Sequence, residues 1–123
     1  MAFLNRDDLI GALTRLGQLA ATDGHAIELL VVGGGVMVME FGTRDSTRDL
    51  DGIVTNAIDP AAVRRYAQVV AMERNWPADW LNDGAKGFLV GVTVPNNLFV
   101  SEGIRVFRPA YEQLLAMKLC VAR

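Results

Sequence analysis

Two aspartates one residue apart, Asp49-Leu50-Asp51, are the positions in this chain best suited to chemistry. If they begin a strand, alternation turns both carboxylates to one face and Leu50 to the other. At about 3.3 Å per residue their Cα atoms stand roughly 6.6 Å apart, within joint reach of one or two cations. Two like charges this close repel, and a cation or a proton relieves them. Hard oxygen ligands in this number suit Mg²⁺ (or Mn²⁺), bound through one or two carboxylates together with substrate phosphates. Such an ion neutralises charge developing on a transferred phosphoryl group and orients an attacking hydroxyl. An isolated D-x-D is common, and an ordinary solvated strand end is the competing reading. The upstream sequence bears on the choice.

Upstream, Ile27 to Val32 is a short, mostly apolar run that reads as a buried strand. It enters Gly33-Gly34-Gly35, and the apolar Val36 to Phe41 reads as a short helix ended by Gly42. Glycine has no Cβ, so backbone approaches a ligand closely, and N–H groups at a helix start favour phosphate. A dinucleotide fingerprint, G-x-G-x-x-G, fails because Val38 stands at its last position. A P-loop fails because no Gly-Lys-Ser/Thr follows. The polar residues 43 to 48, Thr-Arg-Asp-Ser-Thr-Arg, form a loop leading into the strand of Asp49 to Val54.

A strand, a Gly-Gly turn, a short helix, a polar loop and a strand bearing D-x-D together resemble the nucleotidyltransferase superfamily. The stretches that carry the resemblance are Val31-Val32-Gly33-Gly34-Gly35 and Arg44-Asp45-Ser46-Thr47-Arg48-Asp49-Leu50-Asp51. Thr47-Arg48-Asp49-Leu50-Asp51 looks most like the Arg-x-Thr-x-Asp-Leu-Asp element of the AbiEii-type toxin-like branch, with Arg44 upstream. Trp80-Leu81-Asn82-Asp83 and Leu114-Leu115-Ala116-Met117-Lys118-Leu119 also resemble segments of that branch. The resemblance implies a polymerase-beta-like fold and Mg²⁺-dependent transfer of a nucleoside monophosphate from a nucleoside triphosphate. The acceptor would be a hydroxyl on RNA, protein or a small molecule, and an antitoxin protein is an implied partner. It also implies that Gly33 and Gly34 cradle phosphate, that Asp49 and Asp51 bind metal, and that Arg44, Ser46, Thr47 and Arg48 contact phosphate. For the two arginines, pairing with Asp45 or Asp49 is an equal alternative.

Active members add a third carboxylate from a later strand. The candidate strand here, Ile104 to Phe107, offers Arg105 instead, with Glu102 just before it and Asp83 in the Trp80 segment. The branch also expects an aspartate beyond the helix lysine, whereas the sequence ends at Arg123. A fragment, a short form and a catalytically incomplete nucleotide-binding, regulatory or dimerising module of the same fold all stay open. Lys118 either reaches the triphosphate as a catalytic residue or lays its stem over the apolar stripe of Tyr111, Leu115 and Ala122. His25, the only histidine, reads as a surface turn residue, Cys120 as core, and Trp76 and Trp80 as packing a loop.

These residues need a scaffold, and the rest of the chain supplies one. Asn5 caps a predicted helix over 6 to 21 with Asp8 at N3 and Leu9, Leu13, Leu16 and Ala20 inward. Asp59-Pro60 starts another that runs to about residue 74 with Val63, Ala67, Val70 and Met72. Pro77 to Asp83 reads as a helical turn, the stretch to residue 103 as irregular though apolar from Gly87 to Val94, and Pro109 opens a last helix. This alternation predicts an α/β architecture, a small mixed sheet flanked by helices, as one domain over residues 1 to 123. A composition 51% hydrophobic and 21% charged is that of a globular protein. The net charge of -2 argues against a surface built to wrap nucleic acid. One cysteine excludes an internal disulfide framework. Without a leader or a long apolar run, the expected location is the cytoplasm, with no membrane contact. The apolar last helix suggests a homodimer.

Overall fold

The first helix, α1 (Arg6–Thr22), begins in a reciprocal capping box. The Asp8 N–H donates to the Asn5 side-chain oxygen at 2.8 Å, and the Asn5 N–H donates to the Asp8 carboxylate at 3.0 Å. Two amides that the helix itself leaves unbonded are thereby satisfied. Leu9, Leu13, Leu16 and Ala20 are fully buried along one stripe, as their spacing predicts. The computed structural model describes residues 3–41, 46–83 and 96–109.

Strand β1 (Ile27–Val32) follows, then a three-residue helix α2 (Gly34–Val36) that widens into one π turn at Met37–Phe41. Strand β2 (Leu50–Val54) leads through helix α3 (Pro60–Arg74) to β3 (Leu81–Asn82), and β4 (Asn96–Ser101) and β5 (Ile104–Arg108) form a hairpin. The five strands make one mixed sheet in the order β3-β2-β1-β5-β4. β1 is antiparallel to β2 and parallel to β5, and β3 is parallel to β2. The end of β1, the start of β2, β3 and the end of β5 therefore gather at one end of the sheet. The α/β class and the mixed sheet agree with the sequence reading.

Cross-strand register sorts the side chains. Ile27, Leu29, Val31, Leu50, Ile104 and Val106 share the face covered by α1 and α3, and all are at most 3% exposed. Asp51, Ile53, Val32 and Leu30 lie on the opposite face. Helix α3 starts at Asp59, whose carboxylate accepts from the Ala61 N–H at 2.9 Å, with Pro60 in the first turn. It stops at Asn75 in the left-handed region, φ 57°.

The structure corrects two readings. Leu81–Asn82 is a strand and not the end of a helical turn, and the stretch expected to be irregular contains β4. Trp80 does pack as expected: it is 1% exposed, and its indole N–H donates to the Ala67 carbonyl at 2.8 Å. Arg44, the Gly87 to Val94 run and the segment expected to form the last helix, with Lys118 and Cys120, lie outside the described residues. Among the described residues no helix is long and apolar enough to cross a membrane.

Candidate functional site

Strand β1 ends at Gly33, whose backbone adopts φ 72°, ψ −144°. L-residues with a Cβ rarely adopt that combination, so the turn requires glycine. Antiparallel register pairs Val32 with Asp51, which brings the carboxylate alongside the turn. A Cβ built on Gly33 would lie 3.8 Å from Asp51 Oδ2, with nothing else nearer. Two residues on, a Cβ on Gly35 would collide with the Leu50 side chain, so α2 rests directly on the first residue of β2. That contact buries Leu50 completely. Burial of Leu50 on one face commits Asp51, the next residue of β2, to the other, and Asp49 immediately precedes the strand. Gly34 opens α2 beside them and is half-buried.

The loop ahead of the pair is held from the N-terminus. Leu4 and Thr47 exchange backbone hydrogen bonds of 2.7 and 2.9 Å, and Leu4 is buried. Thr47 is buried as well, and its hydroxyl donates to the Asp49 carbonyl at 3.0 Å. The sequence reading gave Thr47 a phosphate contact; the hydroxyl is instead spent on shaping the chain at Asp49. Arg48 is exposed and stacks on Phe3, its guanidinium carbon 5.6 Å from the ring centre. It therefore does not pair with Asp49 in this arrangement. Ser46, half-buried, lies immediately before Thr47. On the other side of Gly33, the π turn is anchored by the Arg6 Nε–H to the Met39 carbonyl at 3.1 Å and by the ion pair of Glu40 with the buried Arg108.

Asp49 is exposed and Asp51 half-buried. Burial, and then the charge of Asp49, push the Asp51 carboxyl above its ordinary range. Among the described residues no ion pair reaches either carboxylate. The residue beside Asp51 on β3 is Asn82, in register and on the same face. Among the described residues no third His, Cys, Asp or Glu joins the pair. Glu102 sits in the β4–β5 turn beside Gly17 at the far end of the sheet. Asp83 follows Asn82 and lines a cavity of about 380 Å³ between α3 and the β2–β3 edge, together with Gly52, Val54, Val63 and Leu81.

The structure thus brings Gly33, Gly34, Asp49 and Asp51 together, with Ser46, Thr47 and Arg48 in the adjoining loop. His25 is exposed, as expected. Sequence reading missed Asn82 and the Leu4 clasp. The Trp80-Leu81-Asn82-Asp83 segment had drawn notice, but strand register, which no local pattern encodes, is what sets Asn82 beside Asp51. No protein-family model, curated protein or solved structure matches the chain.

Proposed function

We propose that the protein is a nucleotidyltransferase that moves a nucleoside monophosphate from a nucleoside triphosphate to a hydroxyl of RNA, protein or a small molecule. One observation carries the reading: the Asp51 carboxylate stands in register beside a glycine turn that only glycine can form, with Asp49 near enough for its charge to act on Asp51. The donor set fits Mg²⁺ or Mn²⁺, since two neighbouring carboxylates offer hard oxygen ligands and the charge of Asp49 disfavours ionisation of Asp51, which a cation would relieve. When bound, the ion supplies charge neutralisation on the phosphoryl group being transferred.

The chain's own residues supply the rest. Gly33 and Gly34 offer backbone without side chains, so a triphosphate can lie against the turn. Thr47 holds the backbone at Asp49 and Leu4 holds Thr47, which keeps the two carboxylates in one geometry. In the reaction, the acceptor oxygen bonds to the α-phosphorus, the bond to the bridging oxygen breaks, pyrophosphate leaves, and the hydroxyl proton goes to water. The similarity of Thr47 to Asp51 to the toxin-like branch supports a role in a toxin–antitoxin pair.

A nucleotide-binding or regulatory module without turnover is favoured by the lack of a third acid among the described residues. Transfer separates the two readings. α-Labelled ribonucleoside triphosphates, incubated with Mg²⁺ and with total RNA, protein or a small-molecule extract, should label an acceptor. Asp49→Asn should abolish that labelling. Undiminished labelling by Asp49→Asn would overturn the metal role, and nucleotide binding with no labelling anywhere would favour the silent module.

A further inference from the structure

Phe3 is 60% exposed, so core packing does not account for where its ring stands. The local backbone does. The bridge between Leu4 and Thr47 is antiparallel, which sets Phe3 opposite Arg48. Leu4 and Thr47 are both buried, and their neighbours Phe3 and Arg48 turn outward together. The ring thereby meets the Arg48 guanidinium, with Cζ 5.6 Å from the ring centre. Arg48 itself stands at a bend that the Thr47 hydroxyl spans by donating to the Asp49 carbonyl. Its Cα is about 3.8 Å from that of Asp49, the first of the paired acids.

A guanidinium is planar and is engaged through its face or through its edge. An aromatic ring takes the face and leaves both the positive charge and the in-plane N–H donors, which match phosphate oxygens in pairs. A carboxylate takes the edge and consumes both. Asp49 is the carboxylate next in sequence, and an Arg48–Asp49 pair would withdraw a metal ligand and a phosphate-binding cation from the site at once. We infer that Phe3 is a positioning residue: its ring holds the Arg48 guanidinium off Asp49 and presents its edge to the phosphates of a metal-bound nucleoside triphosphate. The backbone clasp and the ring act together, since the same bridge that orders the loop delivers Phe3 to Arg48. This rests on the nucleotidyltransferase reading.

The test is calorimetric titration of Mg²⁺–ATP and Mg²⁺–UTP into the full chain and its variants. Arg48→Gln should lower affinity for both nucleotides at least tenfold. Phe3→Leu keeps an apolar side chain but loses the aromatic face. It should lower affinity for both about two- to fivefold, the worth of one exposed cation–π contact, without lowering the Tm by more than a few degrees. Phe3→Tyr, which keeps the face, should match wild type. In the Arg48→Gln background, Phe3→Leu should cost nothing more, because the two residues act as one unit. Equal affinity of Phe3→Leu and wild type would overturn the inference. So would a Phe3→Leu loss that persisted without Arg48, which would give the ring to the fold, or one confined to ATP, which would give it to the base. In each of these cases wild type still binds nucleotide and the nucleotidyltransferase reading stands. If wild type bound neither nucleotide with Mg²⁺, that reading would fall, and the role of Phe3 with it.

Discussion

Gly33→Ala probes both the fold and the site, and its two effects can be separated. At φ 72°, ψ −144° a non-glycine residue carries backbone strain of roughly 1–3 kcal/mol. A Cβ there would meet only Asp51 Oδ2, at 3.8 Å, an ordinary contact distance, so crowding adds little to the strain. Replacing glycine also narrows the unfolded ensemble, which offsets about 0.4–1 kcal/mol. The net loss is therefore ~1–2 kcal/mol, or ~4–8 °C in Tm for a domain of this size. Urea unfolding should show a lower midpoint at an unchanged slope. The methyl group would also stand between Asp51 and the surface on which a triphosphate lies, so affinity for Mg²⁺–nucleotide should fall at least tenfold. Gly24→Ala is the control: Gly24 also has positive φ, 76°, but a Cβ there meets nothing within 4 Å. It should lose comparable stability and keep nucleotide affinity. If Gly33→Ala left both quantities unchanged, or weakened binding no more than Gly24→Ala, the proposed role of the turn would be wrong.

Two further outcomes follow from named groups. Thr47→Val removes the hydroxyl bond to the Asp49 carbonyl; urea titration should show a loss of about 1 kcal/mol, and nucleotide transfer should slow while the backbone clasp to Leu4 persists. Because the Asp51 carboxyl is raised above its ordinary 3.8 by burial and by Asp49, the folded state holds that proton more tightly than the unfolded chain does. Stability from this group therefore falls as pH rises from the ordinary value through the raised one. Scanning calorimetry across that window should show Asp51→Asn lacking the decline, and millimolar Mg²⁺ should reduce it in wild type only; parallel curves for the two proteins would contradict the assignment.

Much of the site was legible because its logic is local. A strand running into glycines and a D-x-D one loop later dictate alternation and a side-chain-free turn, and folding needed only one antiparallel register to join them. Asn5 with Asp8, and Asp59 with Pro60, marked their helix starts through capping chemistry that acts within a turn. The failures are all non-local. Leu81–Asn82 is too short to show any alternation, and it is a strand only because Leu50 and Asp51 pair with it. β4 carries three consecutive apolar residues, Leu98 to Val100, with no period of its own, and β5 alone organises it. Thr47 looked like a loop residue because its partner Leu4 is distant in sequence.

The most direct test of the central claim is calorimetric titration of the four ribonucleoside triphosphates into wild type and Asp51→Asn, each with and without Mg²⁺. The account predicts binding of at least one nucleotide by wild type only when Mg²⁺ is present, and its loss in Asp51→Asn with the fold intact. Equal binding by the variant, or binding by wild type indifferent to Mg²⁺, would contradict it.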